Sequence, residues 1–227
     1  LEAYFKNTSD PYPALYPLWF EESFLGDAGK KEPHQLGLLE TMAEDNRDNG
    51  LFDPIVNYWL GTHYVFSFDA KRAQTHYDKI GEIDRWQLLG TFDNVMNSGF
   101  DKDFCVLANP QKGAGFQSKY GAEITWFEPD QYSDDGYFFK SAHFFSNNSI
   151  IYAQAFVKSD SDREAILNFG YSGSLKLWLN DALVYSEPEH RVTEMGYFKF
   201  KCRLNKGYNR ILVQLGEHEE SNPNFTI

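Results

Sequence analysis

The feature that most restricts the fold is a change of hydrophobic period near Ile83. Before it, Leu36, Leu39, Met42 and Ala43 recur at spacings of three and four, and Ile55, Tyr58, Trp59 and Thr62 continue the pattern, as expected for one face of a helix. After it, short alternating segments rich in Phe, Tyr, Val, Ile and Leu are divided by Gly, Asn, Asp and Ser, which is the texture of strands and turns. Helices first and strands afterwards make an α+β chain, because a parallel α/β sheet needs the two to alternate.

Within residues 1–81, Pro11 and Pro13 precede Leu15, Leu18, Trp19 and Phe20, and Gly26 follows, which predicts a first helix. A second carries Leu36 to Ala43, Asn49-Gly50 breaks the chain, and Asp53-Pro54 restarts it. Asp69 is placed to cap a last helix with Ala70, Ala73 and Tyr77, ending near Gly81. Four helices with short breaks suggest paired hairpins, loosely similar to tetratricopeptide repeats but without their 34-residue period. Their apolar faces are expected to need a partner surface, the β part being the nearest.

In residues 82–227, strands are predicted at 150–157, 165–170 and 174–179. Asn180-Asp181 reads as a two-residue hairpin loop into 182–185, since both residue types tolerate the left-handed region. A strand at 198–204 turns at Asn205-Lys206-Gly207 into another at 208–215. This spacing indicates a sandwich or barrel. Asn224-Phe225-Thr226-Ile227 reads as half of a further strand, so the polypeptide is expected to continue.

The chain has 227 residues, 42% hydrophobic and 17% aromatic, enough apolar material for a core. At about 150 residues per domain this is one large domain or two small ones. The 21 basic and 33 acidic residues leave a net charge of -12, which repels phosphate backbones and anionic lipid and so argues against nucleic acid and membrane surfaces as partners. No apolar run approaches the roughly 20 residues of a membrane span. The opening Leu1-Glu2-Ala3-Tyr4 has neither an initiator Met nor a signal sequence, as expected of an excised or processed piece. Cys105 and Cys202 could be one disulfide or two thiols. Alternation puts Phe198, Phe200, Cys202 and Leu204 on one face and Lys199, Lys201 and Arg203 on the other, so Cys202 is expected in the core, and both cysteines are expected as buried thiols.

Four tracts carry a family resemblance: Trp86 to Asp93, Tyr152 to Val157, Gly173 to Asn180 and Leu204 to Val213. Their order resembles the galactose-binding-domain-like jelly roll over roughly residues 82–227, with Asp181 where the family's hairpin usually has Gly. The resemblance implies an α+β fold in which N-terminal helical hairpins pack on an antiparallel jelly-roll β-sandwich. It further implies a noncatalytic binding or architectural module of a larger exported bacterial multidomain protein, periplasmic or extracellular. Its partners would be neutral carbohydrate or other domains of the same polypeptide. The alternative is an accessory part of a glycoside-processing or transglutaminase-like enzyme whose catalytic domain lies outside these residues.

Catalytic residues are not expected. The chain has no G-x-S-x-G, H-E-x-x-H, G-x-x-x-x-G-K-[ST] or G-x-G-x-x-G. Cys105 with His143 lacks any nucleophile signature around Asp103-Phe104-Cys105. Asp134, Asp135, Glu187 and Glu189 could supply paired carboxylates for glycoside hydrolysis, but solvated loops explain them equally well. Asp93, Asn94, Asp101 and Asp103 are hard oxygen ligands in one segment, a candidate structural calcium site favoured by the resemblance. For a sugar, Trp126 and Tyr132 flank turn-forming residues and could stack on a ring face, with Asp134 and Asp135 taking hydroxyl hydrogen bonds; core packing is the competing role for Trp126. Trp178, out of phase with Leu175, Leu177 and Leu179, is expected on the outer sheet face or against the helices. Asn7, Asn147 and Asn224 open Asn-x-Ser/Thr sequons.

Overall fold

The computed structural model describes residues 7, 31–44, 53–130, 138–193, 195–217 and 223–227. The predicted first helix and the Asn49-Gly50 break lie outside the described residues. The fold is α+β, with helices followed by a β-sandwich. The chain divides into two compact units, with the boundary in this stretch between Glu82 and Ile83.

In the helical unit the described helices are α1 (Pro33–Glu44), α2 (Asp53–Phe66) and α3 (Ala70–Tyr77). Their helical spacing turns Leu39, Ile55, Val56, Trp59, Leu60, Tyr64 and Ala73 into one buried cluster. The α2–α3 approach depends on Gly61: a Cβ there would lie 2.3 Å from the Tyr77 ring. Asp69 caps α3 as expected, accepting from the Arg72 N–H.

One titratable group in this unit carries a prediction. His76 Nδ1 lies 2.9 Å from Asn57 Oδ1 and its ring stacks on Tyr64. Burial, then the charge of Lys79, lowers its pKa, against a smaller upward pull from Glu40. The folded state therefore prefers the neutral ring: this stability is complete above the ordinary histidine pKa of about 6.5 and is lost as pH falls through the lower folded value. An NMR titration of His76 should show a midpoint below about 6.5; a midpoint above it would reverse the sign.

The β unit contains β1 (Gln87–Asp93), β2 (Phe116–Gln117), β3 (Glu123–Ile124), β4 (Phe138–Phe139), β5 (Ser149–Ser159), β6 (Arg163–Leu179), β7 (Ala182–Val192), β8 (Phe198–Leu204), β9 (Gly207–Gly216) and β10 (Asn224–Thr226). All named pairings are antiparallel, and the main order is β1-β5-β9-β6-β10-β4. The strands expected at 165–170 and 174–179 are one continuous strand, β6. Its first half pairs with β8, its middle with β10, and its end with β9 and β7. The change of partner comes at Gly173, whose φ of +122° and close approach to the Gly216 carbonyl leave no room for a Cβ. Asn180 and Asp181 adopt φ of 49° and 66°, the doubly left-handed hairpin loop anticipated for them.

Alternation gives the central strands two buried faces. Ile151, Ala153, Ala155, Leu175, Leu177, Leu179, Ile211, Val213 and Leu215 share one cluster with Trp86, Leu88 and Tyr171. Ile150, Tyr152, Trp178 and Leu212 face the other way, into a cluster with Phe92, Val106, Phe116 and Trp126. The connection between β1 and β5 thus covers the second face, and Trp178 lies under it.

Candidate functional site

That covering segment is held by polar side chains rising from the sheet. Arg210 Nε donates to Gln154 Oε1, and its guanidinium reaches the carbonyls of Leu107 (2.9 Å) and Val106 (3.3 Å) and the Asp181 carboxylate. Gln154 Nε2 donates to the Pro110 carbonyl, Gln214 Nε2 to that of Phe100, and Tyr152 Oη to Gln214 Oε1. Lys176 donates to the Phe100 carbonyl and to Asp101. Side chains that could have met a ligand on this face are engaged by the chain's own backbone. Burial pushes the Arg210 pKa below the ordinary guanidinium value, and Asp181 opposes it; burial raises that of Tyr152.

Trp126, the ring expected to stack on a sugar, is 2% exposed. Its indole N–H donates to the Asn109 carbonyl, and Phe116 packs edge-on against it. The paired backbone of Leu88 and Phe127 fixes this segment against β1, so the indole is core and closed to a ligand. Tyr132, Asp134 and Asp135 lie outside the described residues.

Three of the four candidate calcium ligands are engaged by the chain itself. Asn94 is fully buried, donating to the Glu217 carbonyl and accepting from the Gly99 N–H. Asp101 pairs with Lys176, and Asp103 accepts the Cys105 N–H. Asp93 is exposed at the end of β1. Among the described residues no group of three or more His, Cys, Asp or Glu could hold a metal ion. Glu187 pairs with Arg191 and accepts the Glu189 N–H on the exposed strand β7. Both cysteines are free thiols; Cys202 is buried, but Cys105 is exposed, against expectation. The left-handed turn at Cys105 (φ 60°), fastened by Asp103, sends Val106 inward in its place.

An open cleft lies elsewhere among the described residues, of about 550 Å³ and lined by Tyr120, Lys140, Phe144, Phe145, Ser146, Asn147, Glu217 and Pro223. Tyr120 stands on the tight turn joining β2 to β3, closed by Ser118 and Ala122. Phe144 to Asn147 follow a short 3-10 turn, Lys140–Ala142, and lead into β5. Tyr120 is 73% and Phe145 97% exposed. Tyr120 Oη and Ser146 Oγ are 3.2 Å apart, and Lys119 Nζ donates to the Asn147 and Asn148 carbonyls, tying the two rims together. Lys140 and Glu217 form an ion pair with side chains only 2% and 6% exposed. Burial lowers the Lys140 pKa, against the upward pull of Glu217. Phe145 followed by Ser146-Asn147-Asn148 was the available sequence signal for this loop: an aromatic residue set among turn formers.

No protein-family model matches the chain, and no curated protein matches it. Partial likenesses to solved structures exist. A β-glucosidase from Kluyveromyces marxianus in complex with glucose is 19% identical with a TM-score of 0.29, over 34% of this chain and 10% of that one. A GH31 α-xylosidase from Xanthomonas citri is 15% identical with a TM-score of 0.31, over 47% and 12%. A family 35 carbohydrate binding module from Clostridium thermocellum is 11% identical with a TM-score of 0.25, over 40% and 84%. The chain thus spans about a tenth of the length of the two enzymes.

Proposed function

We propose that the β-sandwich, read as a galactose-binding-like jelly roll, is a noncatalytic binding module for neutral carbohydrate within a larger exported protein, and that the cleft between Tyr120 and Phe145 is its site. The observation that carries this reading is the pairing of two exposed flat rings with buried hydrogen-bonding groups in one cleft. A sugar has an apolar face that such rings can cover and hydroxyls that need polar partners. Phe145 at 97% exposure leaves nearly its whole ring in water, a state that a ligand would relieve.

A glycan array followed by calorimetry tests it. The wild type should bind a neutral glycan, and Tyr120→Ala and Phe145→Ala should each weaken binding about tenfold or more, roughly 1.4 kcal/mol. Both variants should melt within a few degrees of the wild type, since exposed side chains contribute little to stability. A wild type that binds no neutral glycan, or variants that bind as it does, would leave the architectural reading instead.

A further inference from the structure

The ion pair at the cleft is an unusual thing to bury. Taking two charges out of water costs as much as their attraction returns, so an apolar pair of the same volume would stabilise the fold as well or better. The geometry of the pair suggests another use. Lys140 Nζ donates to Glu217 Oε2 and to the Ser146 carbonyl, which also accepts from Ser149 Oγ. An ammonium has three N–H groups, so one is without a partner among the described residues. On Glu217 the backbone is held from both sides, its N–H donating to the Ser149 carbonyl and its carbonyl accepting from Asn94. Its carboxylate meets Lys140 through Oε2, and Oε1 takes no hydrogen bond from a described residue. Both side chains line the cleft.

One ion pair whose charges cancel thus carries, among the described residues, both an unused donor and an unused acceptor. We infer that the Lys140–Glu217 pair is the specificity element of the cleft and takes one hydroxyl of a neutral sugar, which accepts from Lys140 Nζ and donates to Glu217 Oε1. This rests on the carbohydrate reading of the cleft and adds to it the group that is recognised. A hydroxyl is the uncharged group that gives and accepts at one atom. A ligand carboxylate would meet the Glu217 oxygen, and a ligand amine the Lys140 ammonium. Lys119, the other cation at the rim, is engaged by the carbonyls of Asn147 and Asn148.

The probes are the methyl glycosides of glucose, galactose, mannose and xylose, their monodeoxy analogues and the matching uronic acids, titrated into the whole chain by calorimetry. The wild type should bind at least one parent glycoside, lose about tenfold or more when one particular hydroxyl is removed, and bind the uronic acid more weakly. Glu217→Gln presents an N–H where Oε1 accepted, so it should lose part of that for the parent and lose less than the wild type on going to that deoxy analogue, because it removes one of the hydroxyl's two contacts. Breaking a buried pair endangers the fold, so the double variant Lys140→Met/Glu217→Leu serves as the stable partner. It should melt near or above the wild type, lose about as much for the parent as that deoxygenation costs the wild type, and lose nothing further for the deoxy analogue. A wild type that binds, loses binding on Tyr120→Ala, yet binds equally well with the double variant folded would sink the hydroxyl assignment and leave the cleft reading standing. Tighter binding of the uronic acid would sink it too. A wild type that binds none of the neutral glycosides fails at the carbohydrate reading itself.

Discussion

Trp126→Ala should lower the stability of the β unit by about 3–5 kcal/mol, because it empties a large buried volume that the neighbouring segment cannot refill. The ring is 2% exposed and lies among Leu89, Phe92, Val106, Phe116, Tyr152 and Leu212. Its loss also strips the Asn109 carbonyl of the indole N–H, which adds about 1 kcal/mol. For a unit of this size the melting temperature should fall on the order of 10 °C. Trp126→Phe keeps most of the volume and should cost markedly less. Trp126→Ala, while still folded, should bind glycans as the wild type does. A variant that melted like the wild type yet lost binding would put the ring on the ligand and overturn the core assignment.

The contrast between Trp126 and the cleft aromatics shows where sequence reasoning reaches its limit. Side-chain alternation is local, so it placed Cys202 and Leu204 correctly on a buried face and Lys201 and Arg203 on an exposed one. Turn chemistry is local as well, and Asn180-Asp181 and Asp69 behave as their types require. Continuity of β6 was hidden because Gly170-Tyr171-Ser172-Gly173 has the composition of a turn, while the pairing with β10 that holds it extended comes from residues more than fifty positions away. Burial of Trp126 is likewise non-local. It depends on the connection after β1 folding over the outer face of the sheet, and Gln154, Arg210 and Gln214 there alternate with apolar residues as if facing water. The Lys140–Glu217 pair joins residues 77 positions apart and has no signature in either neighbourhood.

Those outer-face polar residues lead to the second large effect. Arg210→Met should cost about 3–5 kcal/mol, although methionine fills much of the same space. The guanidinium is 7% exposed and serves four acceptors. Asp181, at 62% exposed, can be resolvated when its partner is lost, but the carbonyls of Val106 and Leu107 and Oε1 of Gln154 are left without that donor. Arg210→Lys should recover only part of the loss, since three divergent N–H groups cannot reproduce a planar fork. The damage should also be local. The cluster of Ile151, Leu177 and Val213 on the opposite face is untouched, whereas the segment around 100–110 loses the side chain that binds two of its carbonyls. Hydrogen exchange should therefore quicken at the amides of 100–110 well before those pairing β5 with β9. Equal acceleration everywhere, or a variant as stable as the wild type, would show that apolar packing by Val106, Phe116 and Trp126 holds the cover and that Arg210 is incidental to it.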